Sequence, residues 1–123
     1  PSIPHLHGLQ KVLDIIEKEG LENRWSRHIE MAKFTTDWAH QRDQGIFPED
    51  GGRSYTLTCI HNKSNWDLDT INESLLSMGY RMDRGYGKFK GQAFRIPHMG
   101  NIYMEDLTEY LKTFDEVLCQ LEY

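Results

Sequence analysis

Apolar positions recur along this chain in two rhythms, and the rhythm decides the element. Leu6, Leu9, Leu13 and Ile16 are spaced by three and four, which predicts an amphipathic helix over residues 5–19 that Gly20 ends. A second helical pattern follows at once. Leu21, Trp25, Ile29, Ala32 and Ala39 line one face, Met31, Phe34 and Trp38 add a second apolar stripe, and the helix is predicted to reach residue 43 ahead of Gly45. A helix with two apolar stripes packs against more than one body, so it reads as a connector between domains.

The rhythm then changes. Ile46 to Arg53, containing Phe-Pro-Glu-Asp-Gly-Gly, is rich in turn formers and reads as loop. Ser54 to His61 sets Tyr55, Leu57 and Cys59 against Thr56, Thr58 and Ile60, the alternation of a strand with two partly apolar faces. Leu68, Ile71, Leu75 and Met78 restore helical spacing over 67–78, up to Gly79. Tyr80 to Arg84 and Gln92 to His98 are two further short strands joined by a glycine-bearing, hairpin-like connection, and Leu107, Leu111, Phe114, Leu118 and Leu121 mark a last helix over 105–121. Strand, helix, strand, strand, helix predicts an α+β fold: a two-layer domain with a small, mainly antiparallel sheet and helices on one face. It approaches a split βαβ unit without its final strand. The predicted organisation is a helical connector at 1–45, outside that unit, and an α+β small domain at 46–123.

Alternation also singles out a side chain. Phe94 and Ile96 flank Arg95 in a short extended run, so they point to one side of the strand and Arg95 to the other. The face carrying Arg95 has no obvious cover in the predicted layers. A planar guanidinium held off the core suits a carboxylate or phosphate, but from the residues alone the expected reading is an ordinary surface or ion-paired arginine. The run Gly85-Tyr-Gly-Lys-Phe-Lys-Gly91 precedes a strand, not a helix, and matches neither GxGxxG nor the P-loop, so it reads as a hairpin turn with Lys88 and Lys90 in solvent.

Composition narrows the function classes. At 123 residues, with 38% hydrophobic and 27% charged residues, the chain suits one soluble core. A net charge of -5 with scattered basic residues argues against nucleic acid as a partner, and no apolar run approaches the ~20 residues of a membrane span. Cys59 and Cys119 have no metal-binding spacing and read as two reduced thiols. With no signal-peptide pattern, they fit a cytoplasmic location, an organelle not being excluded. His5 and His7 are two apart on a helix and share no face, while His61 and His98 meet only if the strand register allows it, so no metal site is expected. No Ser/His/Asp or Cys/His set is evident, and no catalytic residue is assigned. The chain opens Pro-Ser-Ile-Pro without an initiator methionine and is expected to be a piece of something longer.

Three stretches carry a resemblance: Glu19-Gly-Leu-Glu-Asn-Arg-Trp25 with Arg27-His28, the strand Ser54-Tyr-Thr-Leu-Thr58, and Gly85-Tyr-Gly-Lys-Phe-Lys-Gly-Gln-Ala-Phe-Arg-Ile-Pro-His-Met-Gly100. In this order they resemble the C-terminal small domain of class V, fold-type-I pyridoxal-phosphate aminotransferases, the alanine–glyoxylate and serine–pyruvate group. The last stretch is similar to that family's GxGxxKGKxxRIGHMG pattern and departs from it at Pro97, where the pattern has glycine. The resemblance implies that Arg95 binds the substrate's α-carboxylate. It also implies that the lysine bonding pyridoxal 5'-phosphate lies upstream, in a large domain of the same polypeptide. None of Lys11, Lys18, Lys33, Lys63, Lys88, Lys90 or Lys112 stands in a matching setting, so no cofactor is expected on this chain alone. The implied parent is a homodimer that moves an amino group between a small amino acid and a 2-oxo acid such as glyoxylate or pyruvate. The competing reading is a stand-alone α+β module that binds or senses a small carboxylate without catalysis.

Overall fold

A computed structural model describes residues 2–123. Its elements run α1 (Ile3–Glu19), α2 (Leu21–His40), β1 (Gly45–Ile46), β2 (Leu57–His61), α3 (Leu68–Ser77), β3 (Ala93–Pro97) and α4 (Met104–Gln120). The sheet has the order β1-β2-β3 and both pairings are antiparallel. This is the α+β arrangement expected from the sequence, with two leading helices.

Each boundary has a local cause. Gly20 closes α1 and opens α2 in a left-handed conformation (φ 80°), its N–H donating to the Ile16 carbonyl and its own carbonyl accepting from Arg24 N–H. Asp67 caps α3 by accepting from the N–H groups of Asp69 and Thr70, both at 3.1 Å. At α4, Asp106 reaches back to accept the Tyr103 N–H at 2.8 Å.

The sheet differs from expectation in three places. The loop predicted from Ile46 begins inside a two-residue strand: Gly45 pairs with His61 and Ile46 with Ile60. Two residues are too few to show alternation, and the Pro-Glu-Asp-Gly-Gly sequence after them dominates the reading. The strand expected at Tyr80 to Arg84 reduces to one antiparallel bridge between Asp83 and Arg95. Its backbone donors are engaged elsewhere, because Tyr80 N–H bonds the Leu75 carbonyl and Met82 N–H bonds Asn72 Oδ1. Finally, β2 starts at Leu57, not Ser54, since the Ser54 hydroxyl accepts the Thr56 N–H and turns the chain locally.

The core lies between the sheet and α2, α3 and α4. Thr58, Ile60, Phe94 and Ile96 project from β2 and β3 into it, where they meet Met31, Trp38, Ile71, Leu75, Leu107, Leu111 and Phe114. Hence α2 is not outside the α+β unit: Met31, Trp38 and Ala39 belong to the same core as the strands. Arg42 clamps this packing from the end of α2 through a two-pronged ion pair with Asp115 of α4, whose carboxylate also accepts the Trp38 indole N–H. By contrast α1 buries none of its residues, and Leu6, Leu9 and Leu13 are all more than half exposed.

Pro97 fits its strand without loss. Arg95 N–H points away from β2 toward Asp83, so Cys59 and Arg95 form a pair without ladder bonds, and by the two-residue period Leu57 and Pro97 do too. The missing N–H of Pro97 removes no hydrogen bond from the sheet.

Candidate carboxylate site

The register of β2 and β3 puts Arg95 opposite Cys59, on the sheet face away from the core, while Phe94 and Ile96 on either side are buried. The Asp83 bridge adds a third residue to that row. Arg95 donates from its backbone N–H to the Asp83 carbonyl at 3.1 Å and from one Nη to the Asp83 carboxylate. The other carboxylate oxygen accepts the Gly85 N–H at 2.9 Å. The Tyr86 ring lies over the guanidinium, 5.0 Å from its centre. Arg95 Nε is buried with no hydrogen-bond partner, so the ion pair leaves part of the fork unused.

Arg95 is therefore a half-buried, ion-paired cation, not a free one; its side chain keeps 33% of its exposure and that of Asp83 29%. Burial works to raise the Asp83 carboxyl, but hydrogen bonds from Arg95 and from Gly85 N–H outweigh it and hold the group below the usual carboxylate range. The Arg95 guanidinium is raised in turn by its bond to Asp83. Across the strand, burial pushes the Cys59 thiol up. Gly85 is required where it stands: its φ is 79°, and a Cβ there would lie 2.7 Å from the Ala93 carbonyl oxygen and 2.8 Å from that of Phe89. An open cleft of about 500 Å³ lies on the Asp83 side of the pair, lined by Arg81, Asp83, Arg84, Tyr86, Lys90 and Pro97 among others, and Arg95 itself is not part of its lining.

The stretch after β3 is pinned to the start of α2. Glu19 accepts from both Arg24 and Arg27, and these arginines donate in turn to the carbonyls of Gly100 and Ile102. The hydrogen bonds from Arg27 and Arg24 lower the Glu19 carboxyl to about 2. His28 Nδ1–H donates to the His98 carbonyl at 2.9 Å. His98 is fully buried; its Nδ1 has no partner, which assigns the proton to Nε2, donating to Thr58 Oγ1 at 2.9 Å. Two of the stretches singled out in the sequence, Glu19 to His28 and Gly85 to Gly100, are thus in direct contact and fix the end of the Arg95 strand.

Burial, aided by the neighbouring His28, pushes His98 down to about 4. Unfolding restores an ordinary imidazole near 6.5, so below that pH the unfolded chain binds the extra proton and the folded state does not. Stability is therefore expected to be undiminished by His98 above pH 6.5 and to fall between about 6.5 and 4, by a few kcal/mol at most. Urea midpoints measured across this range check it, and His98→Asn is expected to flatten the slope.

His61 and His98 do not meet. His61 stands opposite Ala93, while His98 lies beyond the Leu57–Pro97 pair at the other end of the ladder. Among the described residues no group of three His, Cys, Asp or Glu side chains has a metal-binding arrangement. All seven lysines are exposed. Neither Cys59 nor Cys119 is in a disulfide, and no described helix is long and apolar enough to cross a membrane. Alternation along β3 marks Arg95 but not its partner: Asp83 reaches the face of Arg95 through the bridge between them, beside a buried Met82.

An α+β domain with a strand-borne arginine, ion-paired on the sheet face away from the core, is the class that fold and site define. No family model matches the chain. Among curated proteins, an uncharacterised aminotransferase of Methanocaldococcus jannaschii is 31% identical over 81% of this chain and 26% of its own length. A serine–glyoxylate aminotransferase of Arabidopsis thaliana is 29% identical over 100% of this chain and 31% of its own length. Among solved structures, the pyridoxamine–pyruvate aminotransferase of Mesorhizobium loti has the same fold over 100% of the chain and 32% of its own, with a TM-score of 0.86 at 23% identity. The chain is homologous to class V aminotransferases of the alanine–glyoxylate and serine–glyoxylate group. It spans about a quarter to a third of the length of these relatives, which fits a C-terminal small domain.

Proposed function

We propose that this chain is the carboxylate-binding arm of a pyridoxal-phosphate aminotransferase that exchanges an amino group between a small amino acid and a 2-oxo acid of the glyoxylate or pyruvate type. Arg95 carries the reading. Its guanidinium is held on a strand, faces away from the core of its own domain, and keeps about a third of its side-chain exposure although one Nη is occupied by Asp83. In this role Arg95 receives the α-carboxylate, fixing the substrate at one end so that its Cα is presented in one orientation to the rest of the enzyme. When bound, the cofactor supplies the electron sink for the chemistry. The lysine and the groups that hold it belong to a large domain of the same polypeptide, which acts as a homodimer. The apolar exposed side of α1 supports this reading, because Leu6, Leu9 and Leu13 find no cover among the described residues.

The test is amino transfer by the full-length polypeptide that contains this chain. With pyridoxal 5'-phosphate, a panel of small amino acids and glyoxylate or pyruvate as acceptor, turnover is expected, and the 123-residue chain alone is expected to show none. Carboxylate binding by the full-length polypeptide without any transamination across the panel overturns the enzyme reading in favour of a binding or sensing module.

A further inference from the structure

We infer that Asp83 is a positioning residue: it grips one Nη of Arg95 and so sets which edge of the guanidinium is left to receive the substrate's carboxylate. The inference rests on the assignment of Arg95 above and deepens it. Asp83 lies outside the glycine-rich stretch that carries the family resemblance, and its position is set by the fold. The bridge fixes both levels of the pair, Arg95 N–H on the Asp83 carbonyl and Arg95 Nη on the Asp83 carboxylate. The carboxylate is itself anchored, since its second oxygen holds the Gly85 N–H at 2.9 Å, in a turn with no room for a Cβ. Tyr86 limits the guanidinium from above. With one edge held by Asp83 and one face by Tyr86, Arg95 has few rotamers left, and little freedom remains to be lost when a ligand binds.

A carboxylate beside the anchor also offsets part of its charge, and the surroundings compensate. Arg81, Arg84 and Lys90 line the same cleft as Asp83, and among the described residues only Arg84 of the three is tied to a carboxylate, Asp69, which lies outside that lining. These cations flank the pair on the Asp83 side and attract an anion toward it, while in this reading Asp83 sets the orientation of the Arg95 guanidinium. A buried or half-buried pair of this kind is poor evidence for stability, which makes a functional reason for keeping it worth testing.

The experiment uses the full-length enzyme with Asp83→Asn, Arg95→Lys and the double variant. It measures kcat and KM for the amino acid, and the rate with the corresponding amine that lacks the α-carboxylate. Asp83→Asn is expected to raise KM about tenfold while kcat falls less, and to leave the carboxylate-free amine within about twofold. On the Arg95→Lys background the same change is expected to add less than about twofold, because its effect runs through the arginine. A KM that is unchanged or lowered by Asp83→Asn, with Arg95→Lys still raising it, overturns the positioning role and leaves the Arg95 assignment standing. Equal losses with both amines show a merely structural role and also overturn it. An unchanged KM in Arg95→Lys removes the anchor assignment, and the role of Asp83 with it.

Discussion

Replacing Arg95 by alanine in the full-length enzyme is expected to lower kcat/KM for the amino acid by about 10² to 10³, mostly through a higher KM for both the amino acid and the 2-oxo acid. Each hydrogen bond to a charged group contributes roughly 1.5–3 kcal/mol, and two such bonds from one rigid fork are not fully additive, so about 3–4 kcal/mol is at stake. At about 1.4 kcal/mol per tenfold, that gives the stated range. Lysine at this position keeps the charge but loses the two-pronged geometry, and is expected to recover only part of the loss. The fold is expected to survive, because Asp83 keeps 29% of its side-chain exposure and remains hydrated when its partner is removed. Steady-state kinetics on purified variants of unchanged circular dichroism measure the effect; KM values within twofold of the parent's would remove Arg95 from the binding site.

The largest effect on stability is expected at Phe114. It is fully buried on α4 and its ring meets Trp38 of α2 edge-on at 5.1 Å, stacks with Phe94 of β3 at 5.8 Å, and contacts Tyr110 at 6.1 Å and Trp66 at 6.3 Å. One side chain thus joins two helices to the strand that carries Arg95. Truncation to alanine removes a large apolar group and leaves a cavity bounded by rigid rings, which relax poorly, so a loss of about 3–5 kcal/mol is expected. A shift of that size corresponds to a fall on the order of 10–20 °C in the domain's thermal midpoint. Calorimetry of the full-length variant checks it, and a loss below about 1 kcal/mol would show that the core is organised around another residue.

The helices were legible because their apolar faces repeat over three or more turns, and because Gly20 and Gly79 follow them as stop signals. The Arg95 strand was legible for a related reason: Phe94 and Ile96 must be buried, which leaves the residue between them no other face. What alternation cannot show is competition for backbone groups. Nothing local to Tyr80 to Arg84 tells that α3 takes its donors, through the Leu75 carbonyl and Asn72, and reduces a strand to one bridge. The partner of Arg95 was hidden in the same way, since Asp83 becomes its neighbour only once that bridge is placed. Nor does periodicity separate a connector helix from a core helix. The two stripes of α2 are real, but Met31 and Trp38 enter the domain core, whereas Leu21, Trp25 and Ile29 stay exposed. The Glu19, Arg24 and Arg27 network joins residues more than seventy positions apart, and only the tertiary fold reveals it.

The most direct test of the central claim compares an amino acid with the amine that lacks its α-carboxylate, in the parent enzyme and in Arg95→Ala. If Arg95 is the carboxylate anchor, the ratio of the two kcat/KM values collapses by about 10² or more in the variant, while the rate with the amine stays within about threefold. A ratio that survives the substitution, or rates that fall together for both substrates, would contradict it.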